Sequence, residues 1–220
     1  ELLNNLYTSL LGNRLRELTQ KENPPFVYAG ANFGSYAKNY QSFSIQGGTG
    51  TNDVQKGIEA TLTEVERVKR FGFTEPELER ARKNILSAYE RNWNNRDKTE
   101  SSQFADEYIR NFTDNESVPG IDAEFQMIRQ LLPTIQLAEV NAITDLFKNE
   151  KNRFTYVMGP ATGAKLPSTD NILAMLDAKA NDPSIKPYEE KLIATNLLSS
   201  APKAGKLVSS KKNALLGTTE

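Results

Sequence analysis

Leucines recur at helical spacing from the first residues: Leu3, Leu6, Leu10, Leu11, Leu15 and Leu18 fall on one side of a 3.6-residue repeat. Pro24 and Pro25 must end that helix, because proline lacks the amide donor and disfavours helix in the residue before it. The periodicity then changes. FVYAGANFGSYAKN (26–39) and YQSFSIQG (40–47) alternate aromatic or β-branched residues with small and polar ones, which predicts an antiparallel hairpin turning near Lys38 and Asn39. Helical spacing returns with Ile58, Leu62, Val65, Val68 and Phe71, capped in front by Asp53 and stopped by Gly72. Thr74-Glu75-Pro76-Glu77 is a capping box that opens a further helix through Leu78, Ala81, Ile85 and Ala88 to about Trp93.

Further helices are predicted at 101–113, 121–132 and 137–149, with Pro133 interrupting and Thr134 or Gln136 restarting the chain. RFTYVMGP (153–160) has the composition of a third strand, and a short helix follows at 170–179. From Asn181 the periodicity fails, and Pro183, Pro187, Pro202 and Gly205 mark a connector or a displaced strand. The order predicts an α+β fold, a two-layer sandwich of a mostly antiparallel sheet with helices packed on one face. The expected division is a core at 1–163 and an extension or linker at 164–220.

Composition narrows the chemistry. With 27 basic and 28 acidic residues there is no electrostatic reason to expect nucleic acid or an anionic membrane as the main partner. No apolar run approaches the roughly 20 residues of a membrane span. The chain has no histidine and no cysteine. The usual ligands for zinc and copper are therefore missing, as are disulfides and thiolate nucleophiles. The opening ELLNNLYTSLLGNRL starts inside a helical pattern with no cap before it, which is the expectation for a fragment truncated at its amino terminus.

Two other patterns are weak. GGTGTND (47–53) sits where a phosphate loop could lie, but the dinucleotide fingerprint needs glycine at the position held by Asp53. A carboxylate at a helix start occupies and repels the site a pyrophosphate needs. The acidic and basic residues of TEPELERARKN, and Glu64, Glu66 and Arg67 before them, have the spacing of a solvated helix face. Trp93, Phe104, Tyr108 and Phe112 are expected on the buried sides of adjacent helices.

The order of parts resembles a known family. A leucine-rich helix ending in NRLREL, an aromatic strand pair, RFGFTEPELERARKNIL and a late VMGP are similar to the second domain of the pitrilysin/insulinase zinc metallopeptidases, over roughly residues 1–160. The tail PYEEKLIATNLLSSAPKAGKLV is similar to the end of this domain in long, single-chain bacterial members. The resemblance implies a zinc site on an inverted His-x-x-Glu-His helix in another, upstream domain, where the glutamate activates the bound water. No metal ligand and no catalytic residue is expected in this chain, and no cofactor.

In the second half of such proteins, the resemblance implies, an arginine and a tyrosine between the first helix and first strand reach the substrate backbone. Here Arg14-Leu15 and Glu17-Leu18 fit that run, but the arginine position reads Thr19, and Pro24-Pro25 replace a glycine. Tyr28 stands near the tyrosine position, with Phe26 as a rival alignment. A hydroxyl cannot replace a guanidinium that clamps an oxyanion. The resemblance therefore implies a first-half copy without the arginine role. It would wall the peptide-degrading chamber, with Tyr28, Phe33 and Tyr36 as candidate chamber surface. Expected partners are other domains of the same polypeptide and a peptide substrate; the expected location is the periplasm or cell envelope. The alternative is a catalytically degenerate structural or binding paralogue, like the core proteins of respiratory complexes.

Overall fold

The computed structural model describes residues 1–37, 40–51, 53–148, 152–160, 162, 165–190, 202–206, 208–215 and 217–219. The expected hairpin turn at Lys38 and Asn39 lies outside the described residues. The chain divides into two compact units, Glu1–Tyr188 and Glu189–Glu220. Among the described residues, the second contains a short antiparallel pair, β3 (Lys212–Asn213) and β4 (Thr218–Thr219).

In the first unit, α1 (Leu2–Thr19) is followed by β1 (Tyr28–Ala37) and β2 (Tyr40–Gly48), which pair antiparallel with Phe33 opposite Phe43 and Ala31 opposite Ile45. The alternation predicted from sequence holds: Ala29, Ala31 and Phe33 of β1 and Phe43 and Ile45 of β2 pack against the core under α1. There the chain builds an aromatic box. The Tyr7 ring meets Phe43 at 5.7 Å and Phe73 at 5.2 Å edge-on, and Phe147 closes it at 4.4 Å from Phe43. Edge-to-face contacts of this kind add to the area each ring buries. Burial pushes the Tyr7 phenol up, the hydroxyl of Thr144 partly offsetting it.

Asp53 caps α2 (Val54–Phe71) by accepting from the Gln55 amide at 2.9 Å. Gly72 ends this helix at φ +68 and ψ −164, with its amide bonded to the Val68 carbonyl. A side chain here meets two obstacles: this backbone region disfavours L residues, and an added Cβ would lie 2.8 Å from the Asn141 side chain. Asn141 is itself fixed, accepting from the Phe73 amide at 2.8 Å. Gly72→Ala is expected to destabilise the domain by about 1–3 kcal/mol, read as a lowered urea midpoint at unchanged slope.

The capping box then starts α3 (Glu75–Asn94): the Glu77 carboxylate accepts from the Thr74 amide at 2.8 Å and from its hydroxyl at 2.9 Å. α4 (Ser101–Asp114), α5 (Ile121–Leu131), α6 (Leu137–Ala142) and α7 (Thr169–Ala180) complete the order, with a 3₁₀ segment at Ile143–Phe147 after α6. The fold is α+β, mostly helical around a small antiparallel sheet.

Three expectations are corrected. Residues 153–160 form no strand. Strand geometry persists only where amides and carbonyls meet a neighbouring ladder, and β1 and β2 pair with each other alone among the described residues. The β-type composition is real, but Phe154, Tyr156 and Met158 stand exposed. Second, the charged residues are not simply a solvated face. Glu64 and Glu77 are buried, and Arg67 and Arg70 of α2 donate to the Lys186 carbonyl and to the Lys179 and Ala180 carbonyls. The Arg70 guanidinium thus meets the last turn of α7 and Arg67 the chain beyond it, so this packing covers what periodicity alone leaves in water. Third, Phe104, Tyr108 and Phe112 of α4 are exposed, because no described element packs on that side; only Trp93 is sheltered, stacking on Phe125 at 5.4 Å.

Candidate functional site

The unit that carries the family resemblance is α1 with the strand entry after it, and its charged and aromatic residues separate into two environments. On the inner side Arg14 is 2% exposed. Its Nε and Nη2 donate to the two carboxylate oxygens of Glu77 at 2.6 and 2.8 Å, and Nη2 also donates to the Gly72 carbonyl at 3.0 Å. The guanidinium lies over the rings of Phe73 and Tyr188, 4.9 and 4.4 Å from their centroids. Bidentate geometry combined with contact to two aromatic faces is an arrangement lysine cannot reproduce. The Tyr188 hydroxyl donates to Glu17 at 2.8 Å. Burial first, and then the Glu17 carboxylate, push its phenol up to about 12. Arg14 and Glu77 thus join α1, the end of α2 and the start of α3, and neither is open to a substrate.

On the outer side a groove of about 520 Å³ runs between α1 and β1, lined by Gly12, Asn13, Arg16, Thr19, Val27 and Tyr28 among others. Arg16 donates to Asn13 Oδ1 at 2.8 Å, and the Thr19 hydroxyl donates to the Arg16 carbonyl at 2.7 Å. Tyr28 is 61% exposed and sits opposite Gly48, where an added Cβ would fall 2.4 Å from the ring. The glycine therefore gives the tyrosine a bed on the outer face of the sheet. Phe26, the rival alignment, is in the core at 1% exposure.

The structure thus separates the candidate residues. Tyr28 reaches the groove, whereas Phe33 packs against Phe43 at 4.8 Å on the core side. The side chain of Tyr36 lies outside the described residues. Sequence reasoning missed Arg16, which occupies the groove one turn before Thr19. The signal was present: Ser9, Gly12, Asn13, Arg16 and Thr19 recur every three or four residues, a polar stripe opposite the leucines. Among the described residues, no group of three or more His, Cys, Asp or Glu side chains could hold a metal ion. No helix of the described residues is long and apolar enough to cross a membrane.

Comparison with known proteins bears on the same unit. The model described as the Peptidase M16 inactive domain matches residues 1–85, which span α1, the hairpin, α2 and the first half of α3. The first 85 residues of this chain are similar to that inactive domain. A "Zinc protease PQQL-like" of Arabidopsis thaliana is 28% identical over 156 residues, covering 71% of this chain and 16% of that protein. The crystal structure of the periplasmic protease PqqL from Escherichia coli superposes with a TM-score of 0.76 at 17% identity, over 96% of this chain and 23% of that one. The solved structure of a "Predicted insulinase family protease from Yersinia pestis" gives 0.66 at 12% identity, over 81% and 38%. The fold shared with these solved structures thus extends well past the 85 matched residues. The chain spans about a sixth of the plant relative and about a quarter of the E. coli protease.

Proposed function

We propose that the chain is a non-catalytic domain of a longer zinc-dependent metalloendopeptidase, walling a chamber in which peptides or small unfolded proteins are cleaved. The observation that carries this reading is the fate of Arg14 and Glu77, the most strongly placed charged pair of the M16 unit. Both are held in a buried ion pair and cannot act on a substrate. The proposed role of the domain is to exclude water and folded proteins and to offer the Tyr28 surface to an extended chain. Its proposed neighbours are the other domains of the same polypeptide, with zinc in an upstream one. The periplasm or cell envelope is the proposed compartment, by analogy with the E. coli protease. Residues 164–220 are proposed to lead on toward the next half of the protein.

Two assays test this. The 220-residue chain, loaded with zinc and dialysed, is expected to retain no stoichiometric metal by mass spectrometry and to leave a quenched peptide uncut. The full-length polypeptide containing it is expected to bind zinc and cleave the peptide, with Tyr28→Phe changing turnover less than tenfold. A larger loss with the fold intact would make Tyr28 a catalytic residue. An inactive, zinc-free full-length protein would instead favour the degenerate structural or binding paralogue.

A further inference from the structure

Three consecutive residues at the entry to β1, Val27, Tyr28 and Ala29, line the groove beside α1. Successive residues of a strand point to opposite faces, so all three meet one groove only along the strand's edge. No residue of β2 lines the groove, and β1 has no second neighbour among the described residues. The groove therefore follows the edge of β1 that faces away from β2, with α1 as its other wall. An open edge is a template for a further extended chain, whose backbone meets the amides and carbonyls of the strand.

The α1 wall adds a charge. Arg16 is the one ionic side chain among the lining residues, and it is exposed. Arg14, Arg67, Arg82, Arg96 and Arg110 each face a carboxylate. Arg16 faces none among the described residues; its Nη2 donates to the neutral Asn13 Oδ1 at 2.8 Å. Glu17, the acid next to it in sequence, accepts instead from the Tyr188 hydroxyl at 2.8 Å. Most of the Arg16 donors are thus left for what enters the groove. A planar fork of N–H donors selects a carboxylate, which accepts two of them side by side, over a neutral amide. The lining continues about one turn beyond Arg16, to Thr19, and about two turns before it, to Ser9. A chain lying in the groove therefore passes Arg16 rather than ending on it.

We propose that this groove binds an extended peptide along the open edge of β1 with an aspartate or glutamate side chain seated on Arg16, which makes Arg16 a specificity-determining residue for acidic peptides. The inference rests on the reading of the Tyr28 surface as one offered to an extended chain.

The probe is an end-capped peptide of alternating threonine and valine, about seven residues long, with one central glutamate and a neutral fluorophore. It is titrated with the 220-residue chain and with the full-length polypeptide, a chelator keeping the probe intact, and followed by anisotropy. Both proteins are expected to bind saturably, and more weakly as salt is raised. Glutamine in place of the glutamate should raise Kd at least about fivefold. Arg16→Gln should raise Kd for the glutamate probe at least about fivefold and for the glutamine probe less than about twofold, a split that damage to the fold does not produce. Arg91→Gln, which removes an exposed arginine of α3 outside the groove, should leave both within about twofold. Equal binding of the two probes, no effect of Arg16→Gln, or no binding by either protein overturns the proposal. So does tighter binding of a glutamine probe with a free terminal carboxylate, which gives Arg16 to a chain end. Binding by the 220-residue chain alone also overturns it, giving the edge to another segment of the same polypeptide. The chamber-wall reading fails separately, on zinc content and cleavage by the full-length protein, which these titrations do not measure.

Discussion

Glu77→Ala is expected to lower the stability of the domain by about 3–5 kcal/mol, because it leaves the Arg14 guanidinium buried without its counter-charge. The pair is 1% and 3% exposed at the side chains, so solvent cannot compensate. The loss has a second component: Glu77 also accepts from the Thr74 amide and hydroxyl, and its removal opens the start of α3. Arg14→Ala should cost a similar amount, adding the loss of packing against Phe73 and Tyr188. The informative variant is Arg14→Met with Glu77→Leu, which removes both charges and keeps volume. It should recover most of the stability. Urea unfolding followed by circular dichroism gives these values, and adding the single Arg14→Met and Glu77→Leu variants closes a cycle that gives the coupling between the residues. If the single substitutions cost less than about 1 kcal/mol, the pair is not sealed from water.

Phe26→Ala should cost about 3–5 kcal/mol, the range for deleting a fully buried phenylalanine and leaving part of its volume empty. Two residues on, Tyr28→Ala should cost under about 1 kcal/mol, since the ring lies exposed over Gly48. Thermal melts of the two variants test the placement of both aromatics. Equal losses would mean that the strand enters with the other face inward, which would carry Tyr28 away from the groove.

The groove itself was half visible beforehand. Tyr28 could be named from its place after the double proline, yet Phe26 fits the alternation equally well, and a two-residue period assigns both to the same face. The ambiguity ends because Tyr28 is the first residue to pair across to Gly48, whereas Phe26 precedes the ladder and turns into the core. Arg16 went unread because attention to the leucine stripe of α1 leaves its polar stripe without a partner until β1 is laid beside it.

The limits of the pattern are clearest in the later helices. Periodicity placed α4 correctly and identified its apolar side, then assigned that side to the core by default. Nothing in a helical repeat says whether another element will arrive to cover it. Residues 153–160 fail for the same reason: composition favours extended backbone, but a strand is a relation between two segments.

By itself the sequence determined the local structure: where α1 stops, how Asp53 and Thr74 open their helices, why Gly72 closes one, and which faces are apolar. These follow from interactions between residues a few positions apart, which the chain carries with it wherever it folds. Tertiary structure alone decided which charges are buried and which aromatics are not. Arg14 and Glu77 are 63 residues apart, and Arg70 lies 109 residues from the Lys179 carbonyl it caps. Burial is a property of what packs on a residue, and no short-range spacing encodes it.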